Sequence, residues 1–147
     1  MIVTLAFRKG KPKNLLSKFI MWASGSIYDH TEIIIGTVWV GAHITRGVVA
    51  TREVDTSFEW DYIRVNVDSK YNHVAVQFVD DVNANKYDFA GAIFGNLFNI
   101  PLVNIKNKYF CSELVATVMQ RFNSKPVMGL DPVSISPQDL YELYEGK

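Results

Sequence analysis

At 147 residues and 48% hydrophobic, the chain can bury a real core and fits a single domain spanning 1–147. Fifteen basic and fifteen acidic residues cancel, which excludes a bulk field drawing the chain to nucleic acid or to an anionic membrane. A single cysteine, Cys111, excludes an intrachain disulfide and a cysteine-based metal cluster, and it suits a reducing compartment.

Residues 2–7 read as a strand, too short and too poor in preceding charge for a signal peptide. A basic turn over 8–13 leads to Asn14, which suits the N-cap of a helix through Leu15, Leu16, Phe19, Ile20 and Trp22, ended by Ala23-Ser24-Gly25-Ser26. The excess of Arg8, Lys9, Lys11, Lys13 and Lys18 in this region reads as solvated surface rather than as a binding patch. A meander of strands follows at about 30–35, 38–44, 47–53 and 61–67, rich in β-branched and aromatic residues. The period then changes, predicting helices over 71–85, 87–98, 111–122 and, after Ser136-Pro137, 137–144. The apolar stretch from Ala90 to Ile100 is broken by glycines and asparagines and is too short to span a bilayer. These elements predict an α+β fold, a small antiparallel sheet packed with helices, in a soluble cytoplasmic protein.

Gly36-Thr37 separates Ile33-Ile34-Ile35 from Val38-Trp39-Val40, and glycine at the first central position favours a two-residue type II′ hairpin. In that register Ile35 faces Val38, Glu32 faces Gly41 and His30 faces His43. Side chains 30, 32 and 34 then share one side of the sheet with 39, 41 and 43. Two imidazoles and a carboxylate are thereby expected on one face, with Gly41 leaving room beside them.

A thiol at a helix start and an imidazole on a strand are the parts of a cysteine nucleophile and its base. Cys111 falls where a loop gives way to the apolar run Leu114, Val115, Val118 and Met119. Free amides and the macrodipole at a helix N-terminus favour an anion there and can also hold an oxyanion. His30 is the candidate base, and a third polar residue must orient its ring; Glu32 and His43 are the candidates. Each residue also has a plainer reading. Cys111 can be a small buried hydrophobe, His30 a structural strand residue, His43 an exposed strand end, and Glu32 the partner of Arg46 or Arg52. Glu113 reads as a first-turn residue complementing the helix dipole. A zinc site from His30, His43 and Glu32 is a conceivable rival without a helical histidine motif to support it, so no metal or other cofactor is assigned.

The segment Asp29-His30-Thr31-Glu32-Ile33-Ile34-Ile35-Gly36, the Ala42 to Val48 segment ending in Arg46-Gly47-Val48, and the segment Tyr109-Phe110-Cys111-Ser112-Glu113-Leu114-Val115 resemble the circularly permuted branch of the NlpC-type papain-fold hydrolases. That branch includes YiiX-like bacterial proteins, phage-encoded relatives and, more distantly, lecithin–retinol acyltransferase. The order of His30 before Cys111 is that of the permuted branch. Trp60-Asp61-Tyr62-Ile63, Tyr87-Asp88-Phe89-Ala90-Gly91 and Ile135-Ser136-Pro137-Gln138-Asp139-Leu140 extend the similarity over most of the chain. The resemblance implies a permuted papain-like fold with Cys111 as nucleophile and His30 as base. For the third position, His43 matches the acyltransferase branch and Glu32 matches many phage and bacterial members, so the family does not choose. Tyr28 falls where a substrate-shaping side chain is expected. The implied activity is hydrolysis or acyl transfer at an amide, thioester or ester of a peptide, cell-wall or lipid-like substrate, in the cytoplasm, or in a host cytoplasm or virion for a phage-encoded protein. The alternative is a non-enzymatic module on the same fold that binds a host or virion protein.

Overall fold

Alternation of Val3, Leu5 and Phe7 with smaller or more polar neighbours makes residues Ile2–Lys9 the first strand, β1, of the sheet. The computed structural model describes residues 1–10, 15–43, 47–51, 56–82, 86–87 and 108–146. Helix α1 (Leu15–Ser24) follows, then β2 (Tyr28–Ile35), β3 (Val38–His43), β4 (Gly47–Thr51) and β5 (Trp60–Asn66). The five strands form one antiparallel sheet in the order β4-β3-β2-β1-β5. The meander therefore holds from β2 to β4 and fails at β5, which crosses over to the outer edge of β1. Alternation says which side of a strand is apolar but not which neighbour it takes, so this crossover was not readable in the sequence.

Helix α2 (Asn72–Val82) follows a short 3₁₀ turn, Ser69–Tyr71, capped by Asp68, whose Oδ1 accepts from the Lys70 amide at 3.0 Å. Two short strands, β6 (Lys86–Tyr87) and β7 (Lys108–Tyr109), pair in parallel. The predicted helix over 87–98 lies outside the described residues apart from Tyr87, and so does the predicted cap Asn14. Helix α3 (Cys111–Arg121) begins at the cysteine, and α4 (Pro137–Tyr144) ends the fold. Ser136 and Asp139 cap α4 reciprocally. The serine hydroxyl accepts from the Asp139 amide at 3.1 Å, Asp139 Oδ2 accepts from the Ser136 amide at 2.9 Å, and Pro137 occupies the first turn.

One face of the sheet carries Val3, Leu5, Phe7, Ile33, Val40, Ala42 and Val48. Against it pack Leu114, Val115, Val118 and Met119 of α3 and Leu140 and Tyr144 of α4, while Ala75, Val79 and Val82 of α2 join the same core beside α3. Each large aliphatic side chain buried there contributes about 1.5–3 kcal/mol relative to exposure, so this layer fixes α3 on the sheet. Among the described residues no helix is long and apolar enough to cross a membrane.

Candidate active site

The β2–β3 hairpin has the register expected from its turn: Ile35 pairs with Val38, Ile34 with Trp39 and Ile33 with Val40. Gly36 has φ +64° while Thr37 keeps an ordinary negative φ, the combination a type II′ turn requires. Past Ile33 and Val40 the ladder stops, although β2 begins at Tyr28 and β3 runs on to His43. Helix α3 packs against both β2 and β3.

The side-chain geometry at this end continues the same register. His30 Nε2 lies 3.0 Å from Glu32 Oε1, and His43 Nε2 lies 3.3 Å from the same oxygen. The two rings are 5.1 Å apart at their centroids. A Cβ built on Gly41 would lie 2.7 Å from Glu32 Cγ and 2.9 Å from Oε1, so only glycine leaves the carboxylate its place over β3. Cys111, at the first position of α3 and 5% exposed, sets its sulfur within hydrogen-bonding reach of the His30 imidazole. The described partners of Glu32 are thus the two histidines; Arg46 and Arg52 lie outside the described residues.

Electrostatics fix the charge states. Burial works against the charge on His30, but the Cys111 sulfur and the Glu32 carboxylate outweigh it and hold the imidazole up, at about 9. Burial also disfavours the Glu32 carboxylate, yet bonds from His30 and then His43 hold it down at about 2. An ionised carboxylate only accepts, so each ring turns an Nε2–H toward Glu32. Below about 9 the His30 ring is the imidazolium with a proton on each nitrogen; Glu32 keeps the one on Nε2, so Nδ1 is the nitrogen that exchanges its proton with Cys111.

The start of α3 is held by its own first turn. Phe110, the N-cap, has no side-chain acceptor; its amide instead donates to Glu113 Oε2 at 3.4 Å, and its carbonyl accepts from the Leu114 amide at 3.0 Å. The Ser112 hydroxyl donates to the Ile135 carbonyl at 2.6 Å, tying this turn to the segment before α4. Glu113 therefore sits in the first turn, where the sequence put it.

Tyr28 is not brought to this cluster. Arg8 pairs with His30 while Lys9 pairs with Tyr28, leaving Asp29 as an extra residue in a β-bulge. The bulge turns Tyr28 to the core face, where it is 1% exposed, packs on Phe7 and Tyr141, and donates its hydroxyl to Asp61 Oδ2 at 2.7 Å. Asp29 itself is paired with Arg8 Nε at 2.8 Å. Sequence reading missed Trp60, whose ring centroid lies 6.2 Å from that of His30 and 5.4 Å from that of Trp39. Arg8 pairs with Trp60 across the β1–β5 ladder and with His30 across β1–β2, so only the crossover of β5 could have revealed this neighbour. A cavity of about 460 Å³ between β5 and the far end of α3, lined by Val65, Tyr71, Phe122 and Tyr144, includes none of the cluster residues.

Comparison of the chain with protein-family models and with curated proteins finds no match.

Proposed function

We propose that the chain is a thiol-dependent hydrolase or acyltransferase of permuted papain-like fold, acting through an acyl-enzyme on Cys111. The observation that carries this reading is the continuous chain of contacts from the Cys111 sulfur through the His30 ring to Glu32 and on to His43. In this mechanism His30 Nδ1 takes the thiol proton, and the resulting thiolate attacks the carbonyl carbon of an amide, thioester or ester. The tetrahedral oxyanion faces the first-turn amides of α3, and the imidazolium returns the proton to the leaving group as the acyl-enzyme forms. Water, or an acceptor in acyl transfer, then attacks the acyl carbon with His30 again as base and frees the thiol. Glu32 orients His30 and fixes its tautomer, while His43 steadies Glu32. In this reading Glu32 and His43 act in series, with Glu32 on the base and His43 behind it.

Substrates of this chemistry are peptide, cell-wall or lipid-like acyl compounds, and the proposed setting is the cytoplasm, or the host cytoplasm or the virion for a phage-encoded chain. An electrophilic acyl probe should label the wild-type chain at Cys111 and leave Cys111→Ser and Cys111→Ala unlabelled with an unchanged circular dichroism spectrum. Undiminished labelling of a folded Cys111→Ala chain would remove the assignment. The burial of the thiol favours one other reading, a binding module with an inert cysteine. That reading requires wild-type protein to resist the probe altogether.

A further inference from the structure

His30 Nε2, Glu32 Oε1 and His43 Nε2 belong to the proposed machinery, yet their spacing suits a different occupant. The three side chains offer donor atoms that all lie within 4.8 Å of one another. Bonds of about 2.0–2.2 Å around a tetrahedral zinc ion place its donors roughly 3.4 Å apart. Here the separations from the carboxylate oxygen are 3.0 Å to His30 and 3.3 Å to His43. Two imidazoles and a carboxylate are a donor set that zinc accepts, with water in the fourth position. The His43 side chain, 23% exposed against 9% for the other two, gives the ion a route in from solvent. Gly41 keeps β3 from crowding the carboxylate it would bind.

We propose that these three residues form an inhibitory site for a divalent transition metal, zinc above all, competing with the thiol chemistry for the same imidazole. The metal-binding half stands on the donor geometry alone; the inhibitory half rests on the proposed role of Cys111. Binding exchanges protons for metal. Each ring coordinates in the form that keeps one proton, on Nδ1, and any further ring proton passes to solvent; the Nε2 lone pairs and a Glu32 oxygen bond the ion, and a water completes the shell. A neutral His30 ring with metal on Nε2 carries its remaining proton on Nδ1. It then has no lone pair to accept the Cys111 proton, and it is no longer held by Glu32.

The test uses the full chain without an affinity tag. Calorimetric titration of Cys111→Ser with zinc chloride should give one site per chain, since the thiol is not a ligand. His43→Gln should weaken that site by about 100-fold or more, as expected for a lost ligand. Cobalt(II) added to wild-type protein should give tetrahedral ligand-field bands without a thiolate-to-cobalt charge-transfer band, a readout no substitution can confound. A charge-transfer band, no stoichiometric binding, or equal affinity in folded His43→Gln would each overturn the site. Zinc should also suppress acyl-probe labelling of wild type, with recovery on adding EDTA; labelling that persists with the site filled would overturn the inhibitory half. If zinc-free wild type is never labelled, the hydrolase reading and the inhibitory half fall together, and zinc binding by Cys111→Ser remains to decide the site.

Discussion

Gly41 and Glu32 face each other across the β2–β3 hairpin, and the missing side chain of the first is the space occupied by the carboxylate of the second. That carboxylate meets both His30 and His43, so a glycine with no chemistry of its own sets the geometry of the cluster. Gly41→Ala should therefore push Glu32 off the His30 ring. The expected stability cost is modest, about 1–3 kcal/mol for overpacking. Acyl-probe labelling should fall by about tenfold or more, the scale of a lost orienting contact. Wild-type labelling in the folded variant would show that Glu32 does not orient the base.

The contact chain also predicts a rank order. His30→Ala should slow labelling by about 10²- to 10⁴-fold, the usual contribution of a general base. Glu32→Gln should cost less and His43→Ala least, because each acts one contact further from the sulfur. Glu32→Gln should in addition shift the pH dependence of labelling, since it removes the negative charge that holds the imidazole up. Rates measured by intact-mass spectrometry check both, and an effect of His43→Ala larger than that of His30→Ala contradicts the order.

Stability should follow the same groups through pH. The His30 imidazole is raised from 6.5 to about 9, so its contribution is complete below 6.5 and is lost as pH rises through about 9. The Glu32 carboxyl is lowered from 4.5 to about 2, so its contribution is complete above 4.5 and is lost as pH falls through about 2. Both are present together between 4.5 and 6.5. The melting-temperature gap between wild type and Glu32→Gln should be widest in that window and narrow on both sides of it. A gap independent of pH would mean that the histidines and the carboxylate do not stabilise one another.

Tyr28→Phe should separate the core from the site. It removes the hydroxyl bonded to Asp61 and keeps the ring packed on Phe7 and Tyr141, at a cost of about 1 kcal/mol. Thermal melts should register that loss while acyl-probe labelling stays at the wild-type rate. Reduced labelling at unchanged stability would return Tyr28 to the substrate.

The parts of the site readable in the sequence were those fixed by local rules. Glycine at position 36 set the turn, the turn set the register, and period-two alternation put His30, Glu32 and His43 on one face. The switch of apolar period after Phe110 set the start of α3. What escaped was non-local or one residue in size. The bulge at Asp29 inverts Tyr28, and no residue type announces it. The crossover of β5 brings Trp60 beside His30, and strand alternation carries no information on partner choice. The helix predicted at 71–85 appears as α2 (Asn72–Val82), and the 3₁₀ turn capped by Asp68 lies just ahead of it.

The central claim is that the Cys111 thiol is activated by the His30 imidazole. The most direct measurement is the rate of iodoacetamide alkylation at Cys111 at pH 7, compared between wild type and a folded His30→Ala chain. The account predicts that loss of the imidazole slows alkylation by at least about tenfold, as the thiol loses the base that takes its proton. Equal rates in the two proteins would contradict it.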